Sequence, residues 1–260
     1  MLIQALSLVA TLALFLGGCG QAYTVPGGPA DFRTLGVTAE TKRAMTDPAV
    51  QVALDKKPLA GFPATIAIAR VQASDYSSYD PATRTTSWHG AYSVITTRTI
   101  ERDEDFEALQ KLPQVNAVVT MKRILLEHNA ASDAELRAAA AKLHADMLLF
   151  YTFDTEFYTD TRVRPLSVIS LGLFPNKSAH VTCTASAVLM DVNSGYLYCV
   201  VEATSQDQQL ANAWSSSEAM DELRRRVERD AFEQLTKQFR QEWPVVVATY
   251  NRPTKSAVLR

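Results

Sequence analysis

The sequence lacks the short motifs that usually announce catalysis or phosphate binding. It has no Gly-x-Ser-x-Gly elbow, no His-Glu-x-x-His, no Gly-x-x-x-x-Gly-Lys loop and no Gly-x-Gly-x-x-Gly. It has little excess of either charge: 26 Lys and Arg against 28 Asp and Glu, a formal net charge of −2. A nucleic-acid role calls for a concentrated basic surface, so none is expected. The four histidines, His89, His128, His144 and His180, stand apart with no metal-ligand spacing. Neither a metal nor any other cofactor is therefore expected. No internal repeat and no sustained heptad is present. Beyond the N-terminus, no apolar run approaches the ~20 residues of a membrane helix. There are three cysteines.

One of the three stands at a telling place. The first eighteen residues carry no charged side chain, and Ala5 to Leu16 is a nearly unbroken apolar run. About a dozen apolar residues suit the h-region of a signal peptide and are too few to cross a bilayer. Gly17 and Gly18 follow and disfavour helix, which lets the chain extend into a peptidase groove. A plain secretory signal would end in an A-x-A-like pattern, whereas this one ends Leu16-Gly17-Gly18-Cys19. That ending resembles the bacterial lipobox. The resemblance implies cleavage between Gly18 and Cys19, and diacylglycerol on the Cys19 thiol. The n-region departs from the pattern in having no Lys or Arg, so the Met1 amine is its only positive charge. Two or more acyl chains hold a protein stably to a membrane, where one holds it marginally. Gly20 at the next position implies, by analogy with lipoprotein sorting in Gram-negative bacteria, export to the outer membrane with the body facing the periplasm.

The chain then divides into residues 1–18 as signal, 19–46 as lipidated N-terminus and tether, 47–245 as a single α/β domain, and 246–260 as a tail. The tether is rich in Gly, Pro and small polar residues. Asp47-Pro48 reads as the start of a short helix through Val50, Val52 and Leu54 that ends before Pro58. At 47% hydrophobic residues the body can build a core without disulfides.

The body opens with "FPATIAIARV", Phe62 to Val71, a continuous apolar run suited to a strand buried on both faces. A polar, turn-rich stretch leads to a second strand around Tyr92 to Ile95. A helix follows, starting near Asp103 or Asp105, with Phe106, Leu109 and Leu112 on one face and Pro113 as its stop. Val115 to Met121 is a short strand. Ser132 and Glu135 have capping-box spacing, and Leu136, Ala139, Ala140 and Leu143 then repeat with the period of a buried helical face. "ADMLLFYTFDTEF" runs directly into a strand. Strand, helix, strand and helix into strand make the grammar of an α/β domain.

A β-hairpin comes next, its turn "DVNSGY" placing Asn193 and Gly195 where positive φ is least costly. Val181, Cys183, Ala185, Ala187 and Leu189 alternate on one strand; Leu197, Cys199, Val201 and Ala203 form the matching face of the other. Aligning those faces sets Cys199 opposite Leu189 or Ala187, and Cys183 opposite Ala203 or Ser205. The thiols are then roughly 13–20 Å apart along the ladder, too far for a disulfide. The last element is a long helix. Ser215 and Glu218 have capping-box spacing, and Met220, Leu223, Val227, Ala231, Leu235 and Phe239 form its apolar stripe.

Few groups invite chemistry. Asp154 and Glu156 share a strand face and could serve acid–base work, but a solvated strand end beside Asp160 is the plainer reading. "RRRVERD", Arg224 to Asp230, could be a docking patch. The surrounding acidic residues make a salt-bridged helix face the better reading. "PLSVISLGLF", Pro165 to Phe174, is uncharged and apolar between two strands, either a buried crossover or a loop that meets a membrane or partner.

The order of "FPATIAIARV", "ADMLL" (Ala145 to Leu149) and the "D-V-x-x-G" hairpin (Asp191 to Gly195), closed by a long helix, resembles the superfamily of envelope lipoproteins typified by the curli secretion channel. Outer-membrane activators of peptidoglycan synthases belong to it, and the amino-terminal domain of TolB is similar. The resemblance spans Phe62 to about Trp243. It implies an open mixed β-sheet flanked by helices, with no catalytic residues, in proteins that bind partners or form pores. The expectation is a membrane-anchored accessory module with an envelope protein as partner. The alternative is a homo-oligomer, a self-assembling ring or secretion-channel subunit. Such a channel needs membrane strands that alternate apolar-out and polar-in, and the segment around Pro165 to Phe174 alternates poorly.

Overall fold

The computed structural model describes residues 28–31, 47–74, 90–126, 129–161, 177–211 and 217–251. Cys19, the signal segment, Pro165 to Phe174, Ser215 and the last nine residues lie outside that set. After helix α1 (Asp47–Asp55), the body is organised on strand β1 (Ala64–Ala73). Strand β4 (Met147–Thr161) runs parallel to β1 on one side, with Ile66 opposite Met147. On its other side β1 has two partners in succession. Strand β3 (Val115–Thr120) runs parallel along Ala64–Ile68, and β2 (Tyr92–Ile95) runs antiparallel along Arg70–Ala73. Strands β5 (Lys177–Asp191) and β6 (Leu197–Ala211) continue antiparallel beyond β4, giving the order β2-β1-β4-β5-β6 with β3 also paired to β1. The expected open mixed sheet flanked by helices is the architecture found.

The apolar run of β1 serves two cores at once. Ile66 and Ile68 face one cluster and Ala67, Ala69 and Val71 the other, which is why the run does not alternate with polar residues. The second cluster is closed by helix α3 (Asp133–Lys142) through Leu136, Ala139 and Ala140. Leu143 is the C-cap and half-buried, and His144 takes φ +54° to end the helix. The expected capping box at α3 does not form. Ser132 occupies the N-cap, but its hydroxyl makes no cap hydrogen bond, and Glu135 reaches past it to accept the Ala131 N–H at 3.0 Å.

Helix α2 (Asp103–Gln110) buries Leu109 and packs Phe106 against the first cluster, with Leu112 just beyond its end. Its first turn carries three acidic residues, which favour the positive helix N-terminus. Helix α4 (Ser217–Tyr250) lies across β5 and β6. Leu223, Val227, Ala231, Leu235 and Phe239 are buried as their period requires, and Met220 is half-buried. The helix runs past residue 245 to Tyr250, with Trp243 and Val246 extending the buried stripe across Pro244. The Trp243 indole N–H donates to the Pro113 carbonyl at 2.7 Å and ties the end of α4 to the stop of α2.

The hairpin adopts one of the expected registers: Leu189 faces Cys199, and Cys183 faces Ser205. Two details of the turn differ. Asn193 keeps a negative φ, and Gly195 alone takes a positive one, +70°. The Asp191 carboxylate explains this, because its Oδ1 accepts the N–H groups of both Asn193 and Ser194 at 2.9 Å and shapes the turn through the side chain. A register shift between Leu189 and Met190 also turns Tyr198 into the core and leaves Leu197 43% exposed.

Cys183 is buried and Cys199 half-buried, and neither is in a disulfide. Burial pushes the Cys183 thiol up to about 12, with the nearby Glu228 carboxylate adding to the shift. Burial, reinforced by Glu242, pushes Cys199 to about 11. The thiolate is the nucleophile, so alkylation of both at pH 8 in the native protein should run at least about a hundredfold slower than after unfolding. Rapid native labelling of either residue, read by mass spectrometry, would show that the hairpin does not sit under α4.

Candidate functional site

Beneath α4 the sheet holds a cluster of charges that the sequence reading missed. Arg70 follows Ile66 and Ile68 on the same face of β1, so its alternation carries it into the core. Its guanidinium lies 3.7 Å from Glu101, 4.0 Å from Glu228, and 4.7 Å above the Phe153 ring. The Tyr151 hydroxyl donates to Glu101 at 2.9 Å, and burial together with the Glu101 charge lifts that phenol well above its usual range. Glu228 accepts from the Thr155 hydroxyl at 2.9 Å and from Arg224 at 2.6 Å, and Arg224 also donates to Asp221 at 2.8 Å. The only signal in the sequence was a single cation inside an apolar run.

The arginine run is salt-bridged, as read. Arg225 pairs with Asp221 at 3.2 Å and Arg226 with Asp207 at 2.6 Å. Arg224 and Glu228, however, are buried against the sheet and do not belong to a solvated face. Arg229 grips Asp105 through both of its terminal nitrogens and donates to the Ile100 carbonyl at 3.1 Å, which joins α4 to α2. Burial alone would raise the Asp105 carboxyl, but the Arg229 and Arg102 contacts outweigh it and hold the group below its ordinary value.

The aspartates of the two quoted motifs prove to be anchors. Asp146 Oδ2 accepts the Thr65 N–H at 2.7 Å. Asp191 Oδ2 accepts the Leu59 and Ala60 N–H groups and the Tyr198 hydroxyl, each at 2.7 Å. Asp191 therefore pins the segment that leads into β1, and Asp146 the start of β1 itself at Thr65. Desolvation works to raise the Asp191 pKa, and the hydrogen bonds from Ser194, Tyr198, Leu59 and Ala60 together bring it below the usual value.

The other face of the sheet is covered by α3 over β1 and the near ends of β4 and β5, and beyond it is open and acidic among the described residues. Asp154 and Glu156 share that face of β4 and are exposed, in keeping with the solvated reading. The side chain of Asp160 lies outside the described residues. Asp154, Thr184, Ser186, Glu202 and Asp31 line a hollow of about 490 Å³. Across it the Ser186 hydroxyl donates to Glu202 at 3.0 Å, and the hydroxyls of Thr184 and Thr204 meet at 2.9 Å. A smaller cleft opens where β2 and β3 part from β1, walled by Arg98, Lys122 and Glu101. Its volume of about 20 Å³ has room for one water, and Glu101 Oε2 has no hydrogen-bond partner among the described residues. His89 and His128 lie outside the described residues; His144 is exposed, and His180 sits on β5 opposite Gln208. Among the described residues no group of three or more His, Cys, Asp or Glu could hold a metal ion.

No known protein family and no curated protein matches the chain. Several solved structures are distantly similar, among them the following two. One is from Caulobacter crescentus, with provisional assignment as a lipoprotein, 11% identical over 44% of this chain and 80% of that one, at a TM-score of 0.25. The other is the hypothetical protein CT253 from Chlamydia trachomatis, 8% identical over 75% of this chain and 100% of that one, at a TM-score of 0.28. At such TM-scores neither likeness bears on what this chain does.

Two substitutions test the anchors. Glu228→Ala leaves Arg70 and Arg224 short of a buried counter-charge and should cost about 3–5 kcal/mol. Glu233→Ala, which removes an exposed partner of Arg229, should cost under about 1 kcal/mol. Urea unfolding reads both, and equal effects would show that the pocket under α4 is wet. Asp191→Asn sets an amide N–H₂ against donors in either orientation and should cost about 2–4 kcal/mol. Because the native pKa of Asp191 is lowered, its ionised form stabilises the fold above about pH 4, and that contribution is lost as pH falls through the lowered value. The acid limb of the stability curve should therefore flatten in Asp191→Asn, and an unchanged limb would assign the acid sensitivity elsewhere.

Proposed function

We propose that the protein is a bacterial envelope lipoprotein, held by acyl chains on Cys19 at the outer membrane and facing the periplasm. Its α/β body acts as a protein-interaction or accessory module of an envelope complex, in wall synthesis or secretion. The observation that carries this reading is the apolar run ending Leu16-Gly17-Gly18-Cys19. Between Cys19 and α1 the chain meets the body at Pro29 and Ala30, where Pro29 bridges to Gln72 and the buried Ala30 N–H donates to the Thr152 hydroxyl at 2.9 Å. No catalytic step is assigned, because the buried charges are engaged with one another and the paired motif aspartates with backbone amides. An accessory module is better supported than a ring that crosses the membrane. A transmembrane strand must turn an apolar band to lipid. Here Val181, Cys183 and Ala185 are buried in the core closed by α4, while the opposite face carries Asp154, Glu156 and Glu202.

Metabolic labelling with an alkyne fatty acid tests the anchor. The wild type should be labelled and sediment with membranes, and Cys19→Ser should be unlabelled and lose that attachment. An unlabelled wild type recovered wholly in the soluble fraction would overturn the proposal. Crosslinking in the intact envelope then separates the two assemblies: a foreign envelope protein joined to the body supports the module, and a closed homo-oligomer larger than a dimer supports the ring.

A further inference from the structure

Strand β6 closes the sheet on one side, and among the described residues it pairs on one flank only, with β5 from Lys177↔Ala211 to Met190↔Leu197. Its 15 residues make an edge roughly 50 Å long. Exposed edges are commonly blunted by shortness, lysine, proline or a bulge. Strand β6 contains no Lys, Arg or Pro, and the one irregularity in its ladder lies at the turn end, between Leu189 and Met190. Of its two carboxylates, Asp207 is neutralised by Arg226 of α4. The edge is long, regular and without a cation to repel another strand.

We infer that this edge pairs with the same edge of a second copy, antiparallel about a two-fold axis at Thr204, so that two sheets join into one. Length selects the occupant. The opposite edge of the sheet is split into β3, of six residues, and β2, of four, which run in opposite directions along β1. Head-to-tail pairing would leave most of β6 uncovered, whereas another β6 covers all of it. Full overlap of Leu197–Ala211 with itself sets Thr204 opposite Thr204, Glu202 opposite Gln206, Val200 opposite Gln208 and Val201 opposite Asp207. No carboxylate then faces a carboxylate, and each Gln206 amide can donate to a Glu202 carboxylate across the joint. Val200, 56% exposed in the single chain, gains a covering side chain from Gln208 of the second copy. The joint is isologous and closes at two copies, which limits growth into fibres.

Disulfide trapping in the intact envelope tests the register. Residues on a two-fold axis meet themselves, so Thr204→Cys in the full chain should give a covalent dimer on mild oxidation. Val200→Cys alone should give little, and Val200→Cys with Gln208→Cys should restore the dimer. Thr204→Lys sets two like charges face to face and should weaken self-association by roughly tenfold or more, read by light scattering of the detergent-solubilised protein. Equal trapping by Thr204→Cys and Val200→Cys, no trapped dimer, or a Thr204→Cys adduct with a different protein would each overturn the proposal. The trapping does not depend on acylation of Cys19, so its failure would leave the lipoprotein reading standing, and an unlabelled Cys19 would leave the dimer standing.

Discussion

The carboxylate of Asp191 accepts five hydrogen bonds, and the placement of the hairpin and of β1 both depend on it. One oxygen shapes the hairpin turn from within, and the other holds two amides of the segment leading into the first strand, over 130 residues away in sequence. Asp146, just before β4, holds a third amide, that of Thr65 near the start of β1. Amides at the open end of a strand need acceptors, and a charged acceptor makes the stronger bond. With its start fixed in this way, β1 can hold three strand partners and bury both faces. The oxygens of the two motif aspartates are spent mainly on backbone amides.

Asymmetry between the two sides of the sheet follows from where the helices lie. On one side α4 and α2 cover apolar residues of β1, β4, β5 and β6, and the Arg70, Glu101, Glu228 and Arg224 charges sit inside that layer. Desolvation offsets much of the attraction in such a network, so it contributes position more than stability. Arg70 lies between Glu101 and Glu228, and Arg229 joins Asp105 on α2 to α4. Sliding α4 by one turn would strand these charges in the core. An all-apolar interface would tolerate that slide far better.

Periodicity made most of the architecture legible. The double-faced burial of β1, the face of α3, the stripe of α4 and the register of the hairpin all follow from spacing, because burial acts on every residue of an element. What escaped depended on single side chains or on distant pairing. Arg70 is one charge in an apolar run, and nothing local says that its counter-charges arrive from Glu101 and a helix near the C-terminus. Ser132 has the right spacing for a capping box, but Glu135 found the neighbouring amide instead. Asn193 suits a positive φ by residue type, but the side chain of Asp191 shapes the turn without it. That β2 and β3 divide one edge of β1 is a matter of long-range pairing, which no local pattern encodes.

The division of β1's edge has a structural consequence for the rest of the sheet. Two short strands of opposite direction leave that side fragmented, while β4, β5 and β6 are each 15 residues long. The long strands carry an apolar face, and α4 takes it. What they turn outward is the polar face of Asp154, Thr184, Ser186 and Glu202, together with the backbone flank of β6. A surface of that kind offers hydrogen bonds and negative charge over a wide, shallow area. Small molecules bind best where a concave site buries most of their surface, and this face buries little. Another protein can match its breadth, strand by strand along the edge or through a basic patch against the acids. Among the described residues, that breadth is what the interaction module proposed above would present to a protein partner.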